Sequence, residues 1–404
     1  MRDMKITPEF INDPFPVYRT LRQTGRMHWS EANGGTWIFP CYEDVREFLK
    51  CERFSAQMKA EHFVNQFPEE IRPDYSEFSR FVKMWIVLLD GAKHDKLRRL
   101  MNRGFTPRFI DIMRPKIQAI ADELVANMQG KQEVDFMEVF AKPFPAKVIA
   151  AMLGVGDENY RDFTEWADAI VEFTGSLGPT VEMLDKANHG LFSMMEFFRA
   201  EIPFRRNLDT ADLIGLLIQI EENGDLLTEE EVISNCGQLV FAGHETTRNL
   251  VSTGLYALLQ NQEQFAKLKA QPELMRNATR EMMRFTSPLQ MVKRVAQEDC
   301  EIYGNNVKKN QGIILLLQSA NRDEQKFADP DRFDIERDNA KDNLALGFGP
   351  HVCLGATLAY LEAEIAFATL FRAFPNMRLT DTPPVYNANP FLRGFSSLQL
   401  RLVD

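Results

Sequence analysis

The sequence of 404 residues lacks features that mark several classes of protein. Lys and Arg number 47 against 58 Asp and Glu, which gives a net charge of −11. A general nucleic-acid-binding protein needs a basic surface, so this class is excluded. No internal repeat, low-complexity stretch or run of Pro, Gly and Ser divides the chain. We therefore expect a single domain over residues 1–404, although length alone favours two or three.

Long apolar runs are also missing. The amino-terminal sequence MRDMKITPEFINDPFPVY has no apolar segment of the kind found in signal peptides. No stretch approaches the roughly 20 apolar residues that a membrane-spanning helix needs. We expect a cytoplasmic protein without a membrane partner.

Cysteine is scarce and widely spaced. No CxxC pair occurs among the five residues, which are Cys41, Cys51, Cys236, Cys300 and Cys353. An odd number at this spacing excludes a disulfide framework and a structural zinc site. In a reducing compartment all five would be free thiols, and we expect four of them to be ordinary packing residues.

Helical patterns dominate what is present. The most informative one begins near Thr228, where TEEE fits a capping box, and continues to about Asn261 without a proline. Roughly 33 residues at about 1.5 Å each predict a helix about 50 Å long. Its middle, GQLVFAGHETT, is apolar before a polar cluster, which favours burial through the centre of a large domain. The chain as a whole is predicted to be mainly α with small β-sheets.

The remaining predicted elements are shorter. Helices are predicted over 14–25, 92–103, 107–129, 135–153, 157–175, 180–204, from after Pro272 to before Pro288, and over about 354–374. A strand and then a helix are predicted over 36–50, an irregular segment over 54–90, and strands over 291–296, 301–304 and 312–317.

The segment LGFGPHVCLGA at residues 346–356 is the strongest candidate for a functional site. Gly347 and Gly349 precede Cys353, Gly355 follows it, and a predicted helix begins directly afterwards. Glycine permits positive φ and a close approach of the backbone to a ligand. A thiol among backbone N–H donors at a helix start ionises more readily, and a thiolate is a good ligand for iron. The alternative is a Gly-rich turn with a packed cysteine.

A second candidate is AGHETT, residues 242–247, in the middle of the long helix. Buried helices rarely group such polar residues, because each buried polar atom needs a partner. The alternative is a polar patch between helices.

Residues 346–355 resemble the heme-binding loop FGxGxHxCxG of the cytochrome P-450 superfamily. Every position matches except the first, where Leu346 replaces the usual Phe beside the sulfur. A leucine still excludes water but changes the packing there. The resemblance implies that Cys353 is the thiolate ligand of the heme iron. It also assigns Gly347, His351 and Gly355 to cofactor binding, together with Leu346.

AGHETT is similar to the family's oxygen-activation groove, A-G-x-[DE]-T-[ST]. The resemblance implies that Ala242 and Gly243 lie beside the heme. It assigns Glu245 and Thr246 to the acid–alcohol pair that supplies protons for O–O bond cleavage in an otherwise dry site. His244 falls at the variable position, and we interpret it as structural.

Glu281 and Arg284 share a helix face at spacing i, i+3, which by itself favours a surface salt bridge. The pair also resembles the family's ExxR motif, in which the two side chains are buried and bound to a meander. The matching meander is FADPDRFDIER, residues 327–337. Either Arg332 or Arg337 could complete this network.

His94 and Arg98 lie at spacing i, i+4 in HDKLR. The resemblance assigns both to the heme propionates, with Arg294 and His351, because carboxylates are well bound by Arg and His donors. Without the resemblance, a satisfied surface histidine is the simpler interpretation of His94. The family's D-P-P sequence is replaced by DGA at residues 90–92, so we expect a different entry into this helix.

The resemblance covers nearly the whole chain. It implies a triangular single-domain fold with a long central helix over heme b, and monooxygenase chemistry with O2. We expect no fused reductase domain, so electrons would come from a ferredoxin or flavodoxin with its reductase. The expected substrate is a sizeable hydrophobic small molecule. Hydroxylation is the default reaction, epoxidation is an alternative, and tailoring of a secondary metabolite is the expected setting.

Two other functions stay open, a peroxide-using heme-thiolate enzyme and a heme-thiolate sensor without catalysis. Neither needs proton delivery, so Glu245 and Thr246 argue against both.

Two further surfaces are predicted. Residues 93–108 carry six Lys and Arg against the single Asp95, which favours a docking surface for an acidic ferredoxin over a merely solvated helix face. By family position, a substrate pocket is expected from four places, which are 58–90, 170–190, the long helix around Leu239 and Ala242, and the segment from Leu289 to Val292. A turn near Phe391 and Leu392 would close it, although part of this set would be ordinary core.

Overall fold

The structure is a computed structural model that describes residues 6–31, 35–60, 62–176, 178–206, 212–222 and 227–402. Its α-helices are α1 (Pro8–Asn12), α2 (Phe15–Thr24), α3 (Tyr42–Phe48), α4 (His62–Asn65), α5 (Ser76–Val82), α6 (Gly91–Met101), α7 (Pro107–Ala126), α8 (Pro143–Leu153), α9 (Tyr160–Gly175), α10 (Val181–Arg205), α11 (Leu213–Glu222), α12 (Glu229–Gln260), α13 (Gln262–Ala270), α14 (Met275–Thr286), α15 (Leu317–Ala320) and α16 (Ala356–Ala373). Its strands are β1 (His28–Ser30), β2 (Thr36–Phe39), β3 (Phe54–Ser55), β4 (Glu133–Asp135), β5 (Val292–Ala296), β6 (Cys300–Ile302), β7 (Asn305–Val307), β8 (Gly312–Leu315), β9 (Arg378–Leu379), β10 (Val385–Tyr386), β11 (Phe395–Ser397) and β12 (Gln399–Arg401). The fold is mainly α with small sheets, as the sequence predicts.

The chain forms two compact units. The first comprises Met1–Ser55, Ala121–Ala141 and Thr246–Asp404, and the second comprises Ala56–Ile120 and Lys142–Glu245. The single domain expected over 1–404 stays a prediction.

The first unit holds all the strands of the described chain. Its largest sheet has the order β1-β2-β8-β5-β3, in which β2 and β8 run parallel and pair Phe39 with Leu315. Apolar side chains of this sheet, including Ile313, pack against Val45 and Phe48 of α3. The sheet therefore has a continuous core beneath it, which holds β5 and its Arg294 in place.

The regular secondary structure within the described residues of the second unit is entirely helical. Helices α9 and α10 lie in close contact, since a Cβ added to Gly190 would lie 2.8 Å from the carbonyl oxygen of Trp166. Helix α8 is buried along nearly its whole length. Residues 229–245 of α12, just over half of the helix, belong to this unit. There Gly243 packs against α8, and His244 lies beside Asp168 of α9.

The capping box at the start of α12 is confirmed. The backbone N–H of Thr228 donates to Glu231 Oε2 at 2.8 Å, and the Glu231 N–H donates to Thr228 Oγ1 at 3.2 Å. The helix that follows has 32 residues, close to the predicted length. None of the helices within the described ranges combines the length and apolar character needed to cross a bilayer.

Several local predictions are wrong in detail. The predicted helix over 135–153 is divided into β4, a π-helical turn at Met137–Ala141 and α8, because Pro143 starts a new helix. Residues 54–90 are not wholly irregular, since they contain α4 and α5. Helices α11 and α13 and strand β7 were not predicted. The run 301–304 ends β6 and turns into β7 through Tyr303 and Gly304, both at positive φ.

Candidate active site

The cysteine loop is closed by its own backbone. The N–H of Cys353 donates to the carbonyl of Leu346 at 2.8 Å, and the N–H of Val352 donates to that of Gly349 at 3.1 Å. Gly347 and Gly349 have φ of +75° and +76°, which L side chains rarely adopt. A Cβ on Gly349 would also lie 2.6 Å from Lys50 Cγ. Both glycines are therefore required by the loop that presents the cysteine.

The loop is also held by the side chain of Phe348. The guanidinium of Arg46 lies 4.6 Å from the centre of this ring and the Lys50 ammonium lies 5.5 Å from it. These cation–π contacts join the loop to the end of α3. Sequence reasoning did not identify them, because about 300 residues separate the partners.

Cys353 differs from the other cysteines in accessibility. It is exposed, whereas Cys236 is buried and the other three are half-buried. Burial raises the pKa of Cys236 to about 12 and that of Cys41 to about 11, so both remain protonated near neutral pH. Cys353 follows a glycine-rich loop and comes just before α16, whose N-cap is Gly355. Among the five, it is the one placed to act as a ligand.

One face of α12 is more accessible than the rest of the helix. The accessible residues lie at spacing i, i+3, i+4 and i+7, which places them on one side of the helix. They are Leu239, Ala242, Gly243 and Thr246, and each is exposed or half-buried. The neighbouring Glu245 is buried, with 1% of its surface exposed. The predicted acid and alcohol therefore differ in accessibility, since Glu245 is buried and Thr246 is half-buried.

His244 belongs to the buried side of α12, with 1% of its surface exposed. Its Nε2 lies 3.3 Å from the carbonyl oxygen of Lys142, and its Nδ1 lies 3.9 Å from Asp168 Oδ1 on α9. Gly243 before it is in close contact with α8, since an added Cβ would lie 2.7 Å from Ile149 Cδ1. The helix is thus packed tightly at this point, and His244 has polar surroundings that the sequence did not indicate.

Glu281 and Arg284 are buried, so the surface-bridge interpretation is wrong. Both side chains have 0% exposure, and two guanidinium nitrogens of Arg284 donate to the two carboxylate oxygens at 2.7 Å each. Arg284 also donates to the carbonyls of Asn321 and Pro330 at 2.8 and 2.9 Å. The structure also shows that Arg337, and not Arg332, completes the network of Glu281 and Arg284. Arg337 Nε lies 3.2 Å from Glu281 Oε1, whereas the side chain of Arg332 is 66% exposed.

The predicted propionate ligands lie in two places. His94 on α6 is 2% exposed, so it is not a surface histidine, and its Nδ1 lies 3.1 Å from Asp95 Oδ1. Arg98 follows one turn later and is half-buried. In the first unit, Arg294 on β5 is buried and donates to the Lys293 carbonyl at 2.9 Å. His351 lies half-buried in the cysteine loop.

The entry into α6 is unusual, as predicted. Gly91 has a φ of +55°, which proline cannot adopt because its ring fixes φ near −65°. Asp90 does not cap the helix with its side chain. Its carboxylate instead accepts the backbone N–H groups of Ala56 and Gln57 at 3.2 and 3.0 Å. The residues DGA therefore build a different turn, which fastens the start of α6 to the segment that follows β3.

The regions expected to line a substrate pocket meet within each unit. In the second unit, the ring of Phe173 lies 6.2, 6.2 and 5.7 Å from those of Phe63, Phe67 and Phe78. Phe67 and Phe78 are buried core residues, whereas Phe63 is half-buried. In the first unit, Leu289 forms a β-bridge with Leu392. Some of the predicted lining residues are thus ordinary core, as the sequence analysis allowed.

Comparison with known proteins agrees with this geometry. The family model described as Cytochrome P450 matches residues 55–401. The polyketide biosynthesis cytochrome P-450 PksS of Bacillus subtilis is 36% identical over 98% of this chain and 97% of its own. The epothilone C/D epoxidase of Sorangium cellulosum is 34% identical, with coverages of 98% and 94%. A crystal structure of P450BioI in complex with acyl carrier protein carrying hexadec-9Z-enoic acid has a TM-score of 0.90 at 33% identity, covering 98% of this chain and all of that one.

The chain belongs to the cytochrome P-450 family. Cytochromes P-450 are heme-thiolate monooxygenases, so this protein is an oxidoreductase whose cofactor is heme b. Its fold is that of the family.

The residues of this cytochrome P-450 fit the cofactor. A thiolate is a suitable ligand for heme iron. Cys353 is the exposed cysteine, and it lies in a loop whose glycines have no side chains to cover the backbone. His94 and Arg294 are buried, and Arg98 and His351 are half-buried. Guanidinium and imidazole groups in such settings suit the propionates, because they favour carboxylate partners. The donor set that the family motif predicts is therefore present, and it is chemically matched to heme.

Proposed function

We propose that this cytochrome P-450 inserts one atom of oxygen from O2 into a sizeable hydrophobic small molecule, with electrons from separate proteins. Hydroxylation is the default reaction, and epoxidation is the alternative within the same chemistry. The setting of Glu245 and Thr246 on α12 carries this proposal. Heme supplies the iron at which O2 is reduced, and the protein supplies the protons, the substrate pocket and the electron entry.

Cys353 is the proposed ligand of the iron. Leu346, Gly347 and Gly355 flank the cysteine in its loop and are assigned to binding the cofactor beside it. The propionates are assigned to His94, Arg98, Arg294 and His351. Ala242 and Gly243 are assigned to the side of α12 beside the cofactor. Ala242 presents only a methyl group there, and Gly243 allows α12 to approach Ile149 of α8.

Glu245 and Thr246 are the proposed proton-delivery pair. Cleavage of the O–O bond consumes two protons in a site from which bulk water is kept. The buried Glu245 carboxyl can hold a proton away from solvent, and the hydroxyl of Thr246 can pass it on to the accessible side of α12. A sensor or a peroxide-using enzyme has no need of such a pair, so both alternatives explain the residues less well.

The substrate proposal rests on apolar lining and on the relatives. Leu239, Leu289 and Val292 are apolar and half-buried, and an apolar pocket with few fixed polar groups suits a large hydrophobic compound. Relatives are named for polyketide biosynthesis and for epoxidation of epothilones C and D. We propose tailoring of a secondary metabolite of comparable size. The cytoplasmic location stays a prediction.

The electron donor is proposed to be a ferredoxin or flavodoxin that its own reductase reduces. Lys93, Arg99 and Arg108 are exposed on and after α6, in a chain whose net charge is −11. A local reversal of charge steers an acidic partner and accelerates association more than it strengthens the complex.

The Thr246→Ala variant tests the proposal. Hexadec-9Z-enoic acid and epothilone D serve as probe substrates, with a surrogate ferredoxin and its reductase as electron donors. Thr246→Ala should still consume reduced cofactor but release more of the electrons as peroxide, and Glu245→Gln should slow turnover. Thr253→Ala, the same change two turns along α12, should keep the parental yield of product per electron pair. Parental coupling and parental turnover in both site variants would refute proton delivery, and failure to oxygenate either probe would refute the substrate class.

A further inference from the structure

Three ionisable side chains of the second unit converge on the buried side of α12. One ligand-type atom each of Asp168, His244 and Glu245 lies within 4.8 Å of the other two. The three differ in access to solvent. His244 and Glu245 are each 1% exposed, whereas the side chain of Asp168 is 42% exposed. The group therefore leads from a solvent-accessible carboxylate on α9 to the residue that precedes Thr246.

The orientation of His244 distinguishes its two ring nitrogens. Nε2 lies 3.3 Å from the carbonyl oxygen of Lys142, which only accepts hydrogen bonds, so Nε2 carries a proton. Nδ1 then faces Asp168 Oδ1 at 3.9 Å. That distance is too long for a direct hydrogen bond but within the reach of one bridging water, which links polar atoms up to roughly 5 Å apart. Nδ1 is thus the nitrogen that can gain and lose a proton here.

Two other interpretations account for less of this geometry. A tetrahedral Zn²⁺ ion holds its ligand atoms about 3.3–3.6 Å apart, since each bond is about 2.0–2.2 Å. The distance of 3.9 Å between Nδ1 and Asp168 Oδ1 is wider than that. A purely structural role of His244 explains its contact with the Lys142 carbonyl. It does not explain why the carboxylates of Asp168 on α9 and Glu245 on α12 both lie near the His244 ring.

We propose that Asp168 and His244 form a proton relay from solvent to Glu245. The Asp168 carboxylate attracts a proton from solvent, and the proton passes to Nδ1 of His244, which becomes an imidazolium. The Nδ1–H bond then breaks, and the proton is transferred to the carboxylate of Glu245. No electrons move, and Asp168 and His244 return to their initial charges. The relay rests on the proposed function, in which Glu245 supplies Thr246.

This assignment changes the interpretation of His244 drawn from sequence. His244 and Asp168 do not touch the reacting atoms, and they act through Glu245. A cytochrome P-450 must refill its buried acid once for each proton consumed, and a half-exposed carboxylate joined to it by an imidazole does this without opening the site to bulk water.

Asp168→Asn and His244→Gln test the relay with the same probe substrates and electron donors. Each variant should lower the yield of product per electron pair about three- to tenfold, raise peroxide release and enlarge the solvent deuterium isotope effect on turnover. The double variant Asp168→Asn/Glu245→Gln should have the same yield of product per electron pair as Glu245→Gln alone, because both changes interrupt the same proton path. Glu165→Gln removes an equal charge one turn earlier on α9 and should leave all three measurements at parental values.

A readout independent of turnover uses the nitrogen NMR signals of the His244 ring in the reduced carbonyl complex. Nε2 should be the protonated nitrogen, and Asp168→Asn should shift the Nδ1 signal while Glu165→Gln does not. A single proton located on Nδ1 would overturn the relay. So would parental coupling and isotope effect in Asp168→Asn, which stays informative if His244→Gln fails to fold. If Glu245→Gln and Thr246→Ala are impaired in that case, the proposed function survives and only the relay is lost.

Discussion

Arg337 Nε lies 3.2 Å from Glu281 Oε1, the same oxygen that accepts the backbone N–H of Asp334 at 3.0 Å and a guanidinium N–H of Arg284 at 2.7 Å. Through one carboxylate, α14 is therefore bound to the segment 327–337. Arg337 also donates to the carbonyls of Ala328 and Asp329 in that segment, at 2.6 and 3.1 Å. The network fixes the chain that leads into the cysteine loop.

Arg337→Gln should destabilise the protein more than Arg332→Gln does. The first change removes a charged hydrogen bond to a buried carboxylate and should lower the free energy of unfolding by about 1.5–3 kcal/mol. The second alters a side chain that is 66% exposed and should stay within about 0.5 kcal/mol of the parent. Urea unfolding and the heme content of the purified variants measure both effects. Equal losses in the two variants would contradict the assignment of Arg337.

Cys353→Ala should abolish the thiolate-type spectrum of the reduced carbonyl complex. The change removes the proposed sulfur ligand, so any heme that still binds must use another ligand and show a different spectrum. Cys300→Ala, which replaces a half-buried cysteine of β6, serves as the control and should keep the parental spectrum. An unchanged carbonyl spectrum in Cys353→Ala would show that another residue ligates the iron.

Glu362→Gln should stabilise the protein at pH 8 but not at pH 4.5. Burial raises the pKa of Glu362 from 4.5 to about 8. The folded state thus keeps a proton that the unfolded chain loses, and the free energy of unfolding falls as pH rises from about 4.5 to about 8. Glutamine has no proton to lose, so the gain at pH 8 should be of the order of a few kcal/mol.

Urea unfolding at the two pH values checks this prediction. Glu263→Gln, which changes an exposed residue of α13, should alter stability by a similar small amount at both. A stabilisation by Glu362→Gln that does not depend on pH would contradict the protonated state of Glu362 in the folded protein.

Arg99→Glu should slow reduction by an acidic ferredoxin without altering binding of the probe substrates. The exposed Arg99 contributes to the basic surface formed by residues 93–108, and exposed charges are screened over roughly 10 Å at 0.1 M salt. The defect should therefore be largest at low salt and fade as salt rises. Arg161→Glu, the same change on α9, is the control. Stopped-flow reduction at the parental rate in low salt would show that docking occurs elsewhere.

The family, the cofactor and most of the helices could be predicted from short stretches of the sequence. The cysteine loop and the length of α12 depend on residues close together in the chain, because turns need glycine at positive φ and helix starts need caps. The divided helix over 135–153 and the helices α11 and α13 were missed because the pattern there was weaker than the packing that decided them.

The network around Glu281 and the surroundings of His244 were decided by tertiary structure. The sequence FADPDRFDIER does not distinguish Arg332 from Arg337 as the partner of Glu281. Only the path of the meander brings Arg337 to the buried carboxylate of Glu281. Asp168 precedes His244 by 76 residues, and α9 had to pack against α12 before the two could meet. The sequence by itself determined which chemical groups this protein carries, since motif spacing is local. Which distant groups act together was determined by packing, because burial forces polar side chains to find partners far along the chain.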